Sequence, residues 1–207
     1  MLTTSHAYWT WRAARSRPGG WAAVAGAVAP DAPALALAVV AMARGLRGPA
    51  VLRWAYHRPG PGRVHVAAHS ALGPAALLLL GRSAAARAFA VGWAGHLAAD
   101  ALTHRDDAWP HLAPLSRWTF SSPLSYWQAG GGARAWSMAE TAALAIAVAA
   151  DRGTRRRALG LAASAAAGLP LLRPRAWSAH ARAAVYSSPP TISRGSTHSF
   201  SRSTSRP

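Results

Sequence analysis

His96, Asp100 and His104 recur every fourth residue in one apolar run, Gly95-His96-Leu97-Ala98-Ala99-Asp100-Ala101-Leu102-Thr103-His104. An α-helix turns by about 100° per residue, so the three side chains fall on one stripe that drifts by roughly 40° at each step. Imidazole and carboxylate are ligands that zinc-class ions take. A hydrophobic helix has no packing reason to carry all three on one side. Neighbouring members of the stripe stand about 6 Å apart along the axis and can share an ion, whereas His96 and His104 are about 12 Å apart. Two ions with Asp100 between them suit that spacing better than one, since paired hydrolytic ions sit about 3.5–4 Å apart. The alternative is a polar helix face that lines a cavity or pairs with its neighbours.

Other titratable groups extend the pattern. His65 and His69, again four apart and followed by Ser70, point the same way on a helix and could complete a site facing the stripe. Such a pair also suits an interface. Asp31 lies in an apolar stretch between Pro30 and Pro33. A carboxylate there is costly and marks a functional site, and the prolines open the helix and release backbone polar groups. Metal ligation and capping of the following half-helix are the two roles open to it. Glu140, near the start of another apolar run, reads as a base or an extra ligand. Asp106 and Asp107, beside His104, solvate the loop or assist catalysis. His6, just before Tyr8-Trp9-Thr10-Trp11, reads by spacing alone as a surface histidine. The His-Glu-x-x-His signature, the Gly-x-Ser-x-Gly elbow, the phosphate-cradling Gly-rich loop, zinc fingers and aromatic RNA-binding strands are all missing.

The elements that must position these residues are five apolar runs, at 21–43, 64–80, 84–103, 136–150 and 158–172. The first, about 23 residues, is long enough to span roughly 30 Å of hydrocarbon. Its Pro30-Asp31-Ala32-Pro33 interruption predicts a broken or kinked helix. The last two are Ala-rich, which lets helices approach closely in lipid. The pattern predicts an all-α, integral membrane helix bundle of four or five spans, with topology left open. An N-terminal signal peptide is the competing reading of residues 1–29, but apolar sequence resumes at once after Asp31, which suits an anchor better. Between 105 and 134 the Trp, Pro, Ser and Gly content marks an ordered, aromatic-rich connection ending in a Gly130-Gly131-Gly132 joint. From 174 the chain turns to Ser, Arg, Pro and Thr without periodicity, which predicts a disordered tail. The division is thus a membrane-embedded domain, 1–173, and a tail, 174–207.

Composition sets limits on function. The 207 residues carry six acids against 23 basic side chains, all of them Arg, for a net charge of +17. Such a balance fits nucleic acid or an anionic lipid surface. Arg clusters lie between the apolar runs, as in the flanks of membrane spans, so membrane lipid is the expected partner and no nucleic acid is. The chain has no Cys, which excludes disulfides and Cys-based zinc sites.

The order His6, Ala29-Pro30-Asp31, His69-Ser70, then Gly92-Trp93-Ala94-Gly95-His96 through Asp100, Thr103 and His104 resembles the YdjM-like membrane-bound metal-dependent hydrolases of bacteria. That family shows an early His, a Pro-Asp pair in a first apolar helix, a His-Ser pair and a Gly-x-x-x-His-x-x-x-Asp-x-x-Thr helix. Its ligand order is similar to a distant version of the zinc-dependent phospholipase C arrangement. The stretch 109–127 is similar to a subgroup of uncharacterised bacterial membrane proteins. The resemblance covers residues 1 to about 130 and implies His6, Asp31, His69, His96, Asp100 and His104 as metal ligands. One departure is Arg63-Val64-His65-Val66-Ala67-Ala68, where the family often has a His-Arg-Gly lead into its His-Ser pair.

The expectation is a multi-pass protein of the cell membrane holding one or two divalent ions, zinc foremost. Its activated water attacks an ester or phosphoester of a small or lipid-like substrate, with Asp106 or Glu140 assisting as catalytic base. The alternative is a non-enzymatic integral membrane protein whose polar stripe carries ions or protons, or fixes the bundle.

Overall fold

Residues 3–56, 59–105, 108–125 and 132–150 are described by the computed structural model of the chain. Eight helices and no strand occur among them: α1 (Thr3–Ala14), α2 (Gly20–Val28), α3 (Ala32–Ala43), α4 (Pro49–Tyr56), α5 (Pro59–Ala68), α6 (Leu72–Leu80), α7 (Ala84–Thr103) and α8 (Ala133–Ala149). The chain is all-α there, as its periodicity predicts. The run at 158–172, the tail at 174–207 and most of the glycine joint lie outside the described residues. Helices α1 and α4 are additional to the expected runs; α1 is too polar, and α4 too short, to register as one.

The 21–43 run breaks where its prolines stand. Helices α2 and α3 meet at 57°, because Pro30 has no N–H to continue the ladder. The Asp31 N–H then donates to Val28 O at 3.1 Å, one residue short of its helical partner, Ala27 O. The 64–80 run also breaks: α5 and α6 meet at 49° around His69-Ser70-Ala71, where Pro74 in the first turn of α6 has no N–H for the Ser70 carbonyl. There the Leu72 N–H turns to Ser70 Oγ at 3.3 Å, and Trp93 Nε1 donates to Ala68 O at 2.7 Å. These bonds satisfy groups that the break releases. No single helix among the described residues is long and apolar enough to cross a membrane, whereas these two bent pairs meet the length and composition required.

Helix α7 is the axis of the assembly. Ser83 caps it by accepting from the Ala86 N–H at 3.0 Å, and α2, α6 and α1 pack along it. Two glycines set the α2–α7 approach. A Cβ on Gly26 would lie 1.9 Å from Phe89 O, and one on Gly92 would lie 1.9 Å from Ala23 O. Backbone meets backbone, as it does where small residues pack helices tightly.

Burial runs opposite to the usual order of a water-soluble domain. The interior holds Ala23, Ala27, Ala34, Ala41 and Ala90 together with Ser5, His6, His65, His69, Ser70, His96 and Thr103, and with Tyr8, Val51 and Leu144 as its larger apolar members. Many other large apolar side chains face outward, led by Leu79 (84 % exposed), Leu80 (78 %), Trp21 (73 %) and Ile146 (71 %).

The 108–125 part of the aromatic connection folds back over the break between α5 and α6. Ala71 N–H donates to His111 O at 2.8 Å, Ser122 N–H to His104 O at 3.0 Å, and Ser70 Oγ to Ala113 O at 2.6 Å.

The α2–α7 seam is open to test. Gly92→Ala is expected to lower stability by about 1–3 kcal/mol or more through backbone overpacking. Gly95→Ala, whose Cβ meets nothing within 4 Å, should be neutral or stabilising by about 0.5–1 kcal/mol through helix propensity. Thermal unfolding of the two variants side by side checks the contrast.

Candidate metal centre

Six imidazole and carboxylate side chains from distant parts of the sequence meet inside the α1–α2–α7 contact. Asp100 is their hub. Its Oδ1 lies 3.0 Å from His6 Nε2 and 3.5 Å from His104 Nε2. Its Oδ2 lies 3.1 Å from His96 Nε2 and 3.8 Å from His69 Nε2. Asp31 closes the group, with Oδ1 at 3.7 Å from His69 Nε2 and 3.9 Å from His96 Nε2.

Each element delivers its side chain for a local reason. Helix α7 presents His96 and Asp100 one turn apart. His104 is its C-cap residue, with extended backbone (φ −113°, ψ 136°), so it departs from the helical stripe yet still turns its ring back to Asp100. The two helix breaks carry Asp31 and His69. Asp31 occupies the N-cap position of α3 but makes no capping bond through its side chain. Its Oδ2 accepts from Thr3 Oγ1 instead. Of the two roles open to Asp31 by sequence, the structure thus places its carboxylate in the cluster.

His6 is the largest departure from spacing alone: it is 4 % exposed, and its ring stacks on His96 with centroids 3.9 Å apart. Burial pulls its pKa below the ordinary imidazole value, against the opposing hydrogen bond with Asp100. A neutral ring is the form that can bind metal.

Two imidazoles are oriented from behind. His96 Nδ1 donates to Ala27 O at 2.8 Å, the carbonyl released at the α2–α3 break. His69 Nδ1 donates to His65 O at 2.9 Å. A backbone acceptor on Nδ1 fixes the tautomer that leaves Nε2 with a lone pair for a ligand, a usual arrangement behind metal-binding histidines. His96 Nε2 is buried and makes no hydrogen bond among the described residues, although Asp100 stands beside it.

These residues fit a metal ion. Donors that each lie about 2.0–2.2 Å from a tetrahedral ion stand roughly 3.3–3.6 Å from one another, and the observed separations of 3.0–3.9 Å bracket that spacing. Two triads, His6/His96/Asp100 and Asp31/His65/His69, each bring their ligand atoms within 4.8 Å of one another. The buried His/Asp groups could therefore hold a metal ion. Two carboxylates also match the charge of one divalent cation.

The remaining candidates fare differently. Asp106 and Asp107 lie outside the described residues. Glu140 is buried on α8 beside Ser5, and none of the cluster's ion pairs includes it. Neither of its oxygens finds a hydrogen-bond partner among the described residues. His65, a member of one triad, packs against His69 with ring centroids 4.0 Å apart and meets the edge of Trp109 at 4.6 Å. Sequence spacing did not single out Thr3, Trp109 or His111. His111 and Trp109 share with His69, Asp100 and His104 the lining of a cavity of ≈ 10 Å³, comparable to the roughly 10–15 Å³ one water needs. Only the aromatic bias of the 109–127 stretch hinted at them.

Comparison with protein-family models, curated proteins and solved structures finds no match to this chain.

Asp100→Asn is expected to weaken zinc binding by more than the roughly 10–100-fold that losing a partner behind a ligand costs, read by competition with a chromogenic chelator. Glu140→Gln should leave zinc content unchanged and hold or raise the melting temperature, since it removes a charge from a buried site without partners. A fall in both would place Glu140 with the ligands.

Proposed function

We propose that this chain is a membrane-embedded metal-dependent hydrolase that holds a zinc-class ion in the His/Asp cluster and cleaves an ester or phosphoester. The observation that carries the reading is the convergence of His6, Asp31, His69, His96, Asp100 and His104 on one buried point. Burying two carboxylates among four imidazoles costs several kcal/mol per charge, of order of magnitude, unless the rings are protonated or a cation sits between them. A divalent cation removes that cost.

When bound, the ion supplies Lewis acidity and an activated water at neutral pH. The protein's own groups do the rest. Ala27 O and His65 O hold the His96 and His69 rings in register, and Thr3 steadies Asp31. Leu97 and Trp109 line the cavity beside His69, Asp100 and His104. Asp100, with imidazoles against both oxygens, is placed to orient a water at that cavity.

Membrane embedding is supported by the inverted burial. Outward Leu, Val and Trp side chains meet lipid without cost, while small and polar side chains line the helix contacts. Broken helices are tolerated at membrane depth where the freed backbone is buried in protein, and both breaks here face the cluster. The resemblance to YdjM-like hydrolases points the same way.

Purified in detergent and loaded with zinc, the full chain is expected to turn over p-nitrophenyl esters or a p-nitrophenyl phosphodiester. Asp100→Asn and His96→Ala should lose at least about 100-fold, and chelation should abolish the rate reversibly. Zinc uptake without turnover of any of these substrates would overturn the hydrolase reading. Release of the chain from membranes by high salt or carbonate, without detergent, would overturn the embedding.

A further inference from the structure

The 108–125 connection brings to the cluster an imidazole that the ligand set does not use. His111 lines the same cavity as His69, Asp100 and His104. Among the described residues its Nε2 is buried without a hydrogen-bond partner. Buried polar atoms in folded proteins are nearly always paired, and an exception asks for a ligand, an ion or a water. His111 belongs to neither of the triads whose atoms come within 4.8 Å of one another, so it is beside the ligand set rather than in it.

Its position is built into the fold. The His111 N–H donates to Trp118 O at 3.2 Å, and its carbonyl accepts from the Ala71 N–H at 2.8 Å. The Trp118 ring meets the imidazole edge-on, with centroids 5.7 Å apart and planes at 61°. Ala71 follows His69 by two residues. The loop is thus fastened to the same helix break that delivers a ligand, and His111 keeps a fixed relation to the cluster.

A substrate bound at the ion needs something to meet the oxygens that the ion does not take. An ester carbonyl offers one strongly accepting oxygen. A phosphoryl group offers several anionic ones, and near Asp31 and Asp100 each of these needs a donor. Among the described residues that line the cavity, His111 carries a buried nitrogen without a hydrogen-bond partner to provide it.

Resting on the metal reading above, we propose that His111 is a substrate-binding residue, whose Nε2–H donates to a phosphoryl oxygen of a phosphoester seated at the His/Asp cluster. The phosphoryl group can belong to a soluble phosphoester or to a lipid headgroup.

The experiment titrates inorganic phosphate into the zinc-loaded, detergent-solubilised full chain by calorimetry or ³¹P line broadening, for the parent, His111→Ala and His111→Gln. Zinc content and melting temperature are measured beside it. The expected result is equal zinc content in all three chains and phosphate binding at least about ten-fold weaker in His111→Ala, the scale of a lost hydrogen bond to a charged group. Part of that loss should be recovered in His111→Gln, whose amide also donates. Repeating the comparison with p-nitrophenyl phosphodiester and with a short-chain phospholipid tells the two sources apart by which one loses affinity more on substitution. Equal phosphate affinity in parent and His111→Ala overturns the proposal, as does a parent that binds no phosphate. A parent that takes up no zinc overturns the metal reading instead, and the phosphate comparison on that chain still decides the His111 contact. Should His111→Ala fail to fold, His111→Phe, which keeps a ring but has no donor, carries the same comparison.

Discussion

Two carboxylates that cannot be left uncompensated govern this structure. Asp31 and Asp100, 16 % and 14 % exposed, lie among buried His, Ser and Ala side chains, where water screens only part of their charge. An isolated buried ion costs many times what a hydrogen bond returns. The imidazoles of His6, His69, His96 and His104, all within 3.9 Å of one carboxylate or the other, are the response to that constraint. Together with Asp31 they come from four separate elements, so satisfying the carboxylates ties α1, both helix breaks and α7 together.

The helix breaks work in two ways. A proline or a turn that interrupts the ladder brings a polar side chain to a depth where a continuous helix would place only another residue of its face. It also releases a carbonyl. Ala27 O, no longer bonded to the Asp31 N–H, accepts from His96 Nδ1 at 2.8 Å, and Ala68 O accepts from Trp93 Nε1. The backbone that breaking exposes thus becomes the scaffold that orients the site. Close approach of α2 and α7 makes this geometry available: with Gly26 and Gly92 at the contact, the Ala27 carbonyl sits within reach of a ring on the neighbouring helix. A larger residue at either glycine would push the two helices apart and lengthen that bond first.

The periodicity and the proline positions suffice for an all-α chain, a break at Asp31 and a His/Asp stripe at His96 and Asp100. Each of these depends on residues within a few positions of one another, and local geometry follows from local sequence. The break at His69-Ser70-Ala71 has Pro74 just beyond it, but it is stabilised by Trp93 and by the 108–125 loop, partners that no window around residue 69 contains. His6 shows the same limit. Its neighbours suggest a surface helix, and only its contact with Asp100, 94 positions away, makes it interior.

Sequence by itself therefore determined the helical class, the chemistry of the ligand types and the spacing of those that share α7. Tertiary structure alone decided that Asp31, His69, His96, Asp100 and His104 face one another, that His6 joins them, that Glu140 forms none of their ion pairs and that His111 lines the cavity beside them. The physical reason is that helical periodicity fixes which face a side chain occupies, whereas which faces meet depends on close packing between segments distant in the chain. Here that packing is set by two glycines and two broken helices.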